Sequence, residues 1–340
     1  MALRSNRLPI AAELAQALLA LLVAAVVHAT PTTMPDRPAA APSRVPVAKT
    51  SRPRTIRTPA PVALPANVIV PRYAQGAEPF RDGETLVYDA SWEGIGAAQA
   101  RVIIVHNRTH PDWWTGQMWI ATSPLADRLY RMRDYFREDF AFQSWIPNDI
   151  QILQHEKSRQ DQWRVTFDQQ QKLITAIKTN KQGRTWIRRF SGAPWGPFSG
   201  AMMALSQPFK IGQTYTFDVF SGGNRYVFAF DVQGRDQITT NLGTFNTLRI
   251  EPSVLWLSDG SFRSQASDMT IWVTDDQKHL PIRIESAVFI GSVRADLTQA
   301  TLPPVAIAKK SASTATPSRS PTPAGSPRAI APRPPAAPPR

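Results

Sequence analysis

Apolar and polar positions alternate with a period of two through much of the chain between residues 84 and 297. In Glu84–Trp92 the pattern puts Leu86, Tyr88, Ala90 and Trp92 on one face, as a strand with one buried side requires. Arg101–Val105 and Trp114–Ala121 have the same character. The polar break Asn107–Asp112 separates them, so they are expected to pair as a hairpin. Runs of this kind recur at Ile150–His155, Gln162–Phe167, Leu173–Ile177 and Thr185–Phe190. They continue at Thr214–Phe220, Tyr226–Val232, Thr244–Ile250, Val254–Leu257, Met269–Val273, Ile282–Phe289 and Val293–Leu297. Turn-forming residues mark most gaps, among them Gly222-Gly223-Asn224, Asn241-Leu242-Gly243, Asp259-Gly260 and Asp275-Asp276. Short strands at such spacing predict a mainly β fold: an antiparallel curved sheet, barrel or half-barrel-like.

Two segments break the alternation. Ser123–Phe136 carries Leu125, Leu129, Met132 and Phe136 at helical spacing, with Ser123 as N-cap and Pro124 at the first helical position, which predicts a short helix. On that reading Asp134 and Glu138, set among Arg131, Arg133 and Arg137, form a salt-bridged helix surface. Pro197–Leu205 is small, apolar and short, and predicts one or two helical turns.

Composition bounds the folded part. The net charge is +13, but residues 1–76 hold 9 basic and 2 acidic residues, and residues 301–340 hold 6 basic and none acidic. The 24 bases and 24 acids of residues 77–300 cancel. Of the 31 prolines, 11 lie in each of these two end segments. Segments of this Ala/Pro/Ser/Thr/Arg composition bury too little apolar surface to offset the entropy of ordering, so residues 30–76 and 301–340 are expected to be disordered tails around a domain at 77–300. A neutral domain offers no electrostatic footprint for specific nucleic-acid binding. The tails are expected to contact an anionic envelope surface through charge, or to serve as spacers.

The first 29 residues read as an export signal. Arg4 and Arg7 precede the apolar run Leu18–Val27, and Val27-His28-Ala29 is a small-residue cleavage pattern. Cleavage after Ala29 gives a periplasmic or envelope protein. Without cleavage, the apolar stretch from Ile10, interrupted by Glu13 and Gln16, would be an inner-membrane anchor. There is no cysteine, so disulfides, thiolate chemistry and lipid attachment at a cysteine are excluded.

The segment Phe80–Trp92, followed by Gly94-Ile95-Gly96, resembles the opening motif of the DUF3108 family of bacterial exported proteins. Phe209-Lys210-Ile211-Gly212, Gly243–Thr247, Ile271–Asp276 and Leu280–Arg283 follow in the family's order and spacing. The resemblance implies a mostly β envelope protein of unknown function. One segment departs from it: Pro197–Pro208 stands where the family pattern has an Asp, then Leu-Ser and an aromatic-rich run.

Candidate chemistry is sparse. No Gly-x-Ser-x-Gly, Walker-type loop or His-Glu-x-x-His is present, and no catalytic residue is assigned. His279 beside Asp275 and Asp276 has the makings of a base with its orienter, or of part of a metal site. No further ligands stand at recognisable spacing, and a solvated polar turn accounts for the same residues, so no metal or cofactor is expected. The 10 tryptophans are the one excess. They read either as a Trp-rich core or as a cavity or stacking platform for a lipid or glycan, with Trp92, Trp113, Trp114, Trp119 and Trp272 as the candidates. Adjacent residues of a strand face opposite sides, so one of Trp113 and Trp114 is expected at the surface. The function these features predict is non-enzymatic binding of an apolar or glycan ligand. A structural or assembly role towards other envelope proteins is the alternative, and a hydrolase a third.

Overall fold

The computed structural model describes residues 59–65, 68–157, 159–258, 261–265, 269–287 and 291–301. The export segment and the C-terminal tail lie outside the described residues. Eight strands run in a meander: β1 (Glu84–Trp92), β2 (Ile95–His106), β3 (Trp113–Thr122), β4 (Arg133–Ala141), β5 (Pro147–Glu156), β6 (Arg159–Asp168), β7 (Leu173–Asn180) and β8 (Thr185–Ser191). A helix follows, α1 (Pro197–Leu205), and then β9 (Thr214–Ser221), β10 (Asn224–Thr240), β11 (Gly243–Ser258) and β12 (Ser261–Gln265). The chain ends the sheet with β13 (Met269–Thr274), β14 (Pro281–Ala287) and β15 (Ser292–Ala300). All strands join one sheet in the order β8-β7-β6-β5-β4-β3-β2-β1-β15-β14-β13-β11-β10-β9, with β12 added on β11. Every ladder between these strands is antiparallel, and the first and last strands pair in the middle, Ala90 opposite Ala295. The mainly β, antiparallel reading is therefore correct, as is the pairing of β2 with β3.

Alternation gives the sheet an inner and an outer face. Leu86, Tyr88 and Ala90 of β1, Val102 and Ile104 of β2, Trp114, Met118 and Ile120 of β3, and Ile150 and Ile152 of β5 are buried on the inner face. The sheet curls until its two ends meet. Although β8 and β9 stand at opposite ends of the strand order, Phe190 and Phe220 pack with ring centroids 4.9 Å apart. Arg188 Nη1 donates to the Gly223 carbonyl at 3.0 Å and Arg225 Nη1 to the Ser191 carbonyl at 2.6 Å. Among the described residues no ladder joins β8 to β9, so side chains close the curl. Each end strand is covered locally by a parallel bridge, Val62 on Phe190 and Trp195 on Val219. Contacts with the sheet thus begin upstream of the boundary expected at residue 77. Tyr73 also packs on Phe217, and its hydroxyl accepts the Thr216 N–H at 2.9 Å.

The predicted helix at Ser123–Phe136 does not form. A single 3-10 turn at Ala126–Arg128 is followed by β4, which begins at Arg133. Leu125 and Leu129 are 55% and 73% exposed, whereas Met132 and Phe136 are buried. A spacing of four is shared by a helical turn and by two periods of a strand, so Met132 and Phe136 fitted both patterns. The run Phe136, Glu138, Phe140 settles the matter: all three are buried on the inner face. Glu138 is accordingly an interior residue and not the helix-surface group expected.

The short helix at Pro197–Leu205 does form, and it fills the inside of the curl. Its Phe198 ring packs against Phe136 of β4 with centroids 5.5 Å apart, and its far side meets Val219 of β9 near Gly200. Both Glu138 carboxylate oxygens accept backbone N–H groups at its N-terminus. His279, in the left-handed region at φ 46°, donates from Nδ1 to the Leu205 carbonyl at 2.8 Å. Asp276 accepts the backbone N–H groups of Lys278 and His279. The Asp275–Leu280 connection therefore serves as a turn and helix clamp.

Candidate functional site

Among the described residues the inner face offers little room for a ligand beside α1. Between α1 and the sheet lies an apolar cavity of about 50 Å³, lined by Ala201, Ala204, Phe217, Phe230, Ile250 and Ile271 among others, with no tryptophan. Small-molecule sites run to about 300–1,000 Å³. A lipid chain would have to displace α1.

The outer face carries a larger depression. A groove of about 630 Å³ lies over β4, β5 and β6 and is walled by the β2–β3 connection and the start of β3. Its floor is polar because outward positions of these strands alternate with buried apolar ones. Asp149 and Gln151 flank Ile150, and Arg164, Thr166 and Asp168 flank Val165 and Phe167. Asp139 and Asp149 stand directly opposite each other on β4 and β5, an arrangement that repels when unrelieved. Each carboxylate has a guanidinium. Arg137 Nη2 lies 3.0 Å from both Asp139 oxygens, and Arg164 Nε lies 3.4 Å from Asp149 Oδ2. Thr115 Oγ1 donates to Asp139 Oδ1 at 2.6 Å and accepts from Asn107 Nδ2 at 3.1 Å. Asn107 Oδ1 in turn accepts the N–H groups of Thr109 and His110 at 3.0 and 3.1 Å, so one chain of hydrogen bonds fixes floor and wall together. On the wall, the His110 and Trp113 rings pack tilted by 30°, with centroids 4.9 Å apart.

These contacts define what the groove can do. Asp139 and Asp149 are held as hydrogen-bond acceptors beside Arg137 and Arg164 as donors, an array suited to hydroxyl groups. Three carboxylates, with Asp168, face two guanidinium groups, so no cationic excess is offered to a phosphate or polyanion. Trp113, half-buried beside His110, brings an aromatic ring to the rim.

The five candidate tryptophans do not converge on one cavity. Trp113 lines the outer groove, and Trp114 is 1% exposed on the inner face against His106 and Phe142. Trp119 is 38% exposed on the same face of β3 as Trp113. Trp92 packs at the margin of the core, and Trp272 donates its indole N–H to Asp236 Oδ2 at 2.9 Å in the other half of the sheet. Asp139, Asp149, Arg137, Arg164 and Asn107 escaped the sequence reading. The signal was present in the alternation of β5 and β6, but taking β4 for helix removed the strand that carries Arg137 and Asp139.

A family model described as "Protein of unknown function (DUF3108)" matches residues 87–298, more than half of the chain. The chain belongs to the DUF3108 family. The match runs from within β1 to within β15 and so spans the whole sheet. Within it, Pro197–Pro208 builds α1 and its C-terminal anchor. Ser206 Oγ and Gln207 Nε2 both donate to the Met203 carbonyl there. No curated protein matches the chain. Among solved structures it is similar to a beta-barrel-like protein of the DUF1849 domain of unknown function from Brucella abortus, at 7% identity and TM-score 0.43, covering 64% of this chain and 97% of that one. It is also similar to a candidate lipoprotein from Parabacteroides distasonis, at 10% identity and TM-score 0.31, covering 67% and 100% of the two chains. A candidate exported protein with a YmcC-like fold from Bacteroides fragilis matches at 8% identity and TM-score 0.29, with coverage of 67% and 100%. Among the described residues no helix is long and apolar enough to cross a membrane.

Proposed function

We propose that this DUF3108 protein is exported to the cell envelope and binds a neutral glycan in the groove on the outer face of β4–β6. Export is supported by Arg4, Arg7, the apolar run Leu18–Val27 and the Val27-His28-Ala29 pattern. Glycan binding rests on one observation: a groove of about 630 Å³ in which Asp139 and Asp149 are each paired with an arginine, no cationic excess remains, and an aromatic ring stands at the rim. Both guanidinium groups are engaged by carboxylates, which favours a neutral polyhydroxyl ligand over an anion. The internal cavity of about 50 Å³ disfavours a lipid in the core. Local covering of β8 by Val62 and of β9 by Trp195 lowers the support for a partner adding a strand at either edge.

The test uses the full chain. Saturation-transfer NMR with a panel of neutral sugars and disaccharides is expected to give ring-proton contacts that survive high salt. Anion binding through the basic tails would weaken with salt. Absence of contact with any neutral sugar would overturn the glycan reading, and an N-terminus retained at Met1 in envelope fractions would replace cleavage by an anchor.

A further inference from the structure

We infer that the groove is one end of a longer cleft, and that the glycan is an extended chain lying along β3 and not a single sugar. This deepens the glycan reading above and rests on it. The outer-face positions of β3 are Trp113, Thr115, Gln117 and Trp119, opposite in direction to Trp114, Gly116, Met118 and Ile120; of the four, Thr115 is itself covered, at 4% exposed. The two tryptophans are six steps apart along the strand, about 20 Å at a rise near 3.4 Å per residue.

The far end is a second aromatic platform. Trp119 is 38% exposed and lies opposite Tyr135 of β4, their rings 5.3 Å apart. Tyr135 is held in turn: its hydroxyl accepts Gln117 Nε2 at 3.2 Å. Between the platforms the accessible polar side chains are Gln117 on β3 and its cross-strand neighbours Arg137 and Gln151, since Thr115 is buried in its hydrogen bonds with Asn107 and Asp139. Register sets Gln117 opposite Arg137 and Arg137 opposite Gln151, and Asp139 and Asp149 anchor the latter two. On this side the groove lining ends at Arg137 and Gln151, and the next outward residues are Tyr135 and Leu153. A polymer stacked on Trp113 therefore meets donors and acceptors for its hydroxyls and then a second ring face, all on one strand face. Sugars present exactly these two surfaces, hydroxyl edges and apolar C–H faces, and a linear oligosaccharide repeats them along its length. A lone indole at the surface is ordinary. Two ring platforms joined by an oriented polar floor are what distinguish this stretch.

The experiment is calorimetric titration of the full chain with linear neutral oligosaccharides of two to six residues from the cello-, malto- and chito-series. In the series that binds, affinity is expected to rise with length and then level off. Trp119→Ala is expected to lower affinity for the longest oligomers about tenfold, the worth of one stacking contact, while leaving disaccharide affinity unchanged. Trp119→Phe should restore most of the loss, because the ring face returns. Trp113→Ala should weaken binding at every length. Affinity independent of length, with Trp119→Ala silent, would overturn the extended cleft and leave the groove reading standing. Failure of every oligomer to bind would remove both. Trp119 lies on the outer face, and an unchanged thermal melt of its variants confirms that the fold is kept.

Discussion

Glu138 Oε1 accepts the backbone N–H of Ser199 at 3.2 Å, across 61 residues of chain. The other carboxylate oxygen takes the N–H of Phe198. Helices usually begin with a Ser, Thr, Asp or Asn whose side chain caps these amides. Here the N-cap is Gly196, and a Cβ there would lie 2.2 Å from Glu138 Oε1. A glycine is required so that a carboxylate from the sheet can do the capping. With His279 on the last carbonyl, a helix of nine residues is fastened at both ends by the wall around it. On its own such a helix is too short to persist in water.

That relationship predicts an unusual pH dependence. Burial pushes the Glu138 carboxyl up to about 7, although the Ser199 and Phe198 hydrogen bonds act in the opposite sense and nearby Asp139 adds to the rise. Because the folded form holds this proton more tightly than the unfolded chain, the contribution is full below about pH 4.5 and is lost as pH rises through about 7. Its size is at most about 3 kcal/mol. Urea unfolding of the full chain across that window should show a falling slope for the wild type that Glu138→Gln flattens. Parallel pH profiles would show that Glu138 titrates as an ordinary surface acid.

Gly116 on β3 faces the same helix. A methyl group there would lie 2.3 Å from Phe198 Cγ, inside the packed core. Gly116→Ala is expected to cost about 1–3 kcal/mol by overpacking. Adding Phe198→Leu should recover part of it, because the smaller side chain vacates that volume. A denaturation midpoint unmoved by Gly116→Ala would mean that Phe198 is not seated against β3.

The closure of the curl makes a separate prediction. Arg225 is 3% exposed, pairs with Asp218 through Nε at 2.8 Å, and reaches the Ser191 carbonyl on β8. Arg225→Met leaves Asp218 without its cation and releases the β8 end of the sheet. A loss of about 3–5 kcal/mol is expected, as for other buried pairs broken on one side. The double change with Asp218→Asn should recover much of that loss. Additive effects of the two changes would show that they do not act on one contact.

What the sequence disclosed followed from which forces were local. Period-two alternation in β1, β5, β6 and β9 depends only on neighbouring residues, and those strands lie where the pattern put them. The β4 segment was misread because Met132 and Phe136 satisfy two periodicities at once, and Pro124 and Ser123 offered a helix start that tertiary pairing overrode. Val254–Leu257 proved to be the end of one 16-residue strand, since nothing local marks continuity through Glu251 and Pro252. The groove was least legible. Asp139 and Asp149 are neighbours only by register, and register is set by a sheet that single-chain patterns do not order.

Trp113 and Trp114 give the sharpest test of the division between core and site, because they are adjacent and point to opposite faces. Trp114 is 1% exposed among His106, Phe142 and the inner core, so Trp114→Ala should cost about 3–5 kcal/mol and leave a cavity. Trp113 packs against His110 at the groove wall, and Trp113→Ala should cost less than about 1 kcal/mol. Sugar binding should follow the reverse order. The folded fraction of the Trp114 variant should bind as the wild type does, and the stable Trp113 variant should not. Guanidinium unfolding and saturation-transfer NMR on the same two proteins separate the effects. If Trp113→Ala unfolds the chain as readily as Trp114→Ala, the outer tryptophan belongs to the core. If it keeps full sugar binding, the ligand lies elsewhere on the sheet.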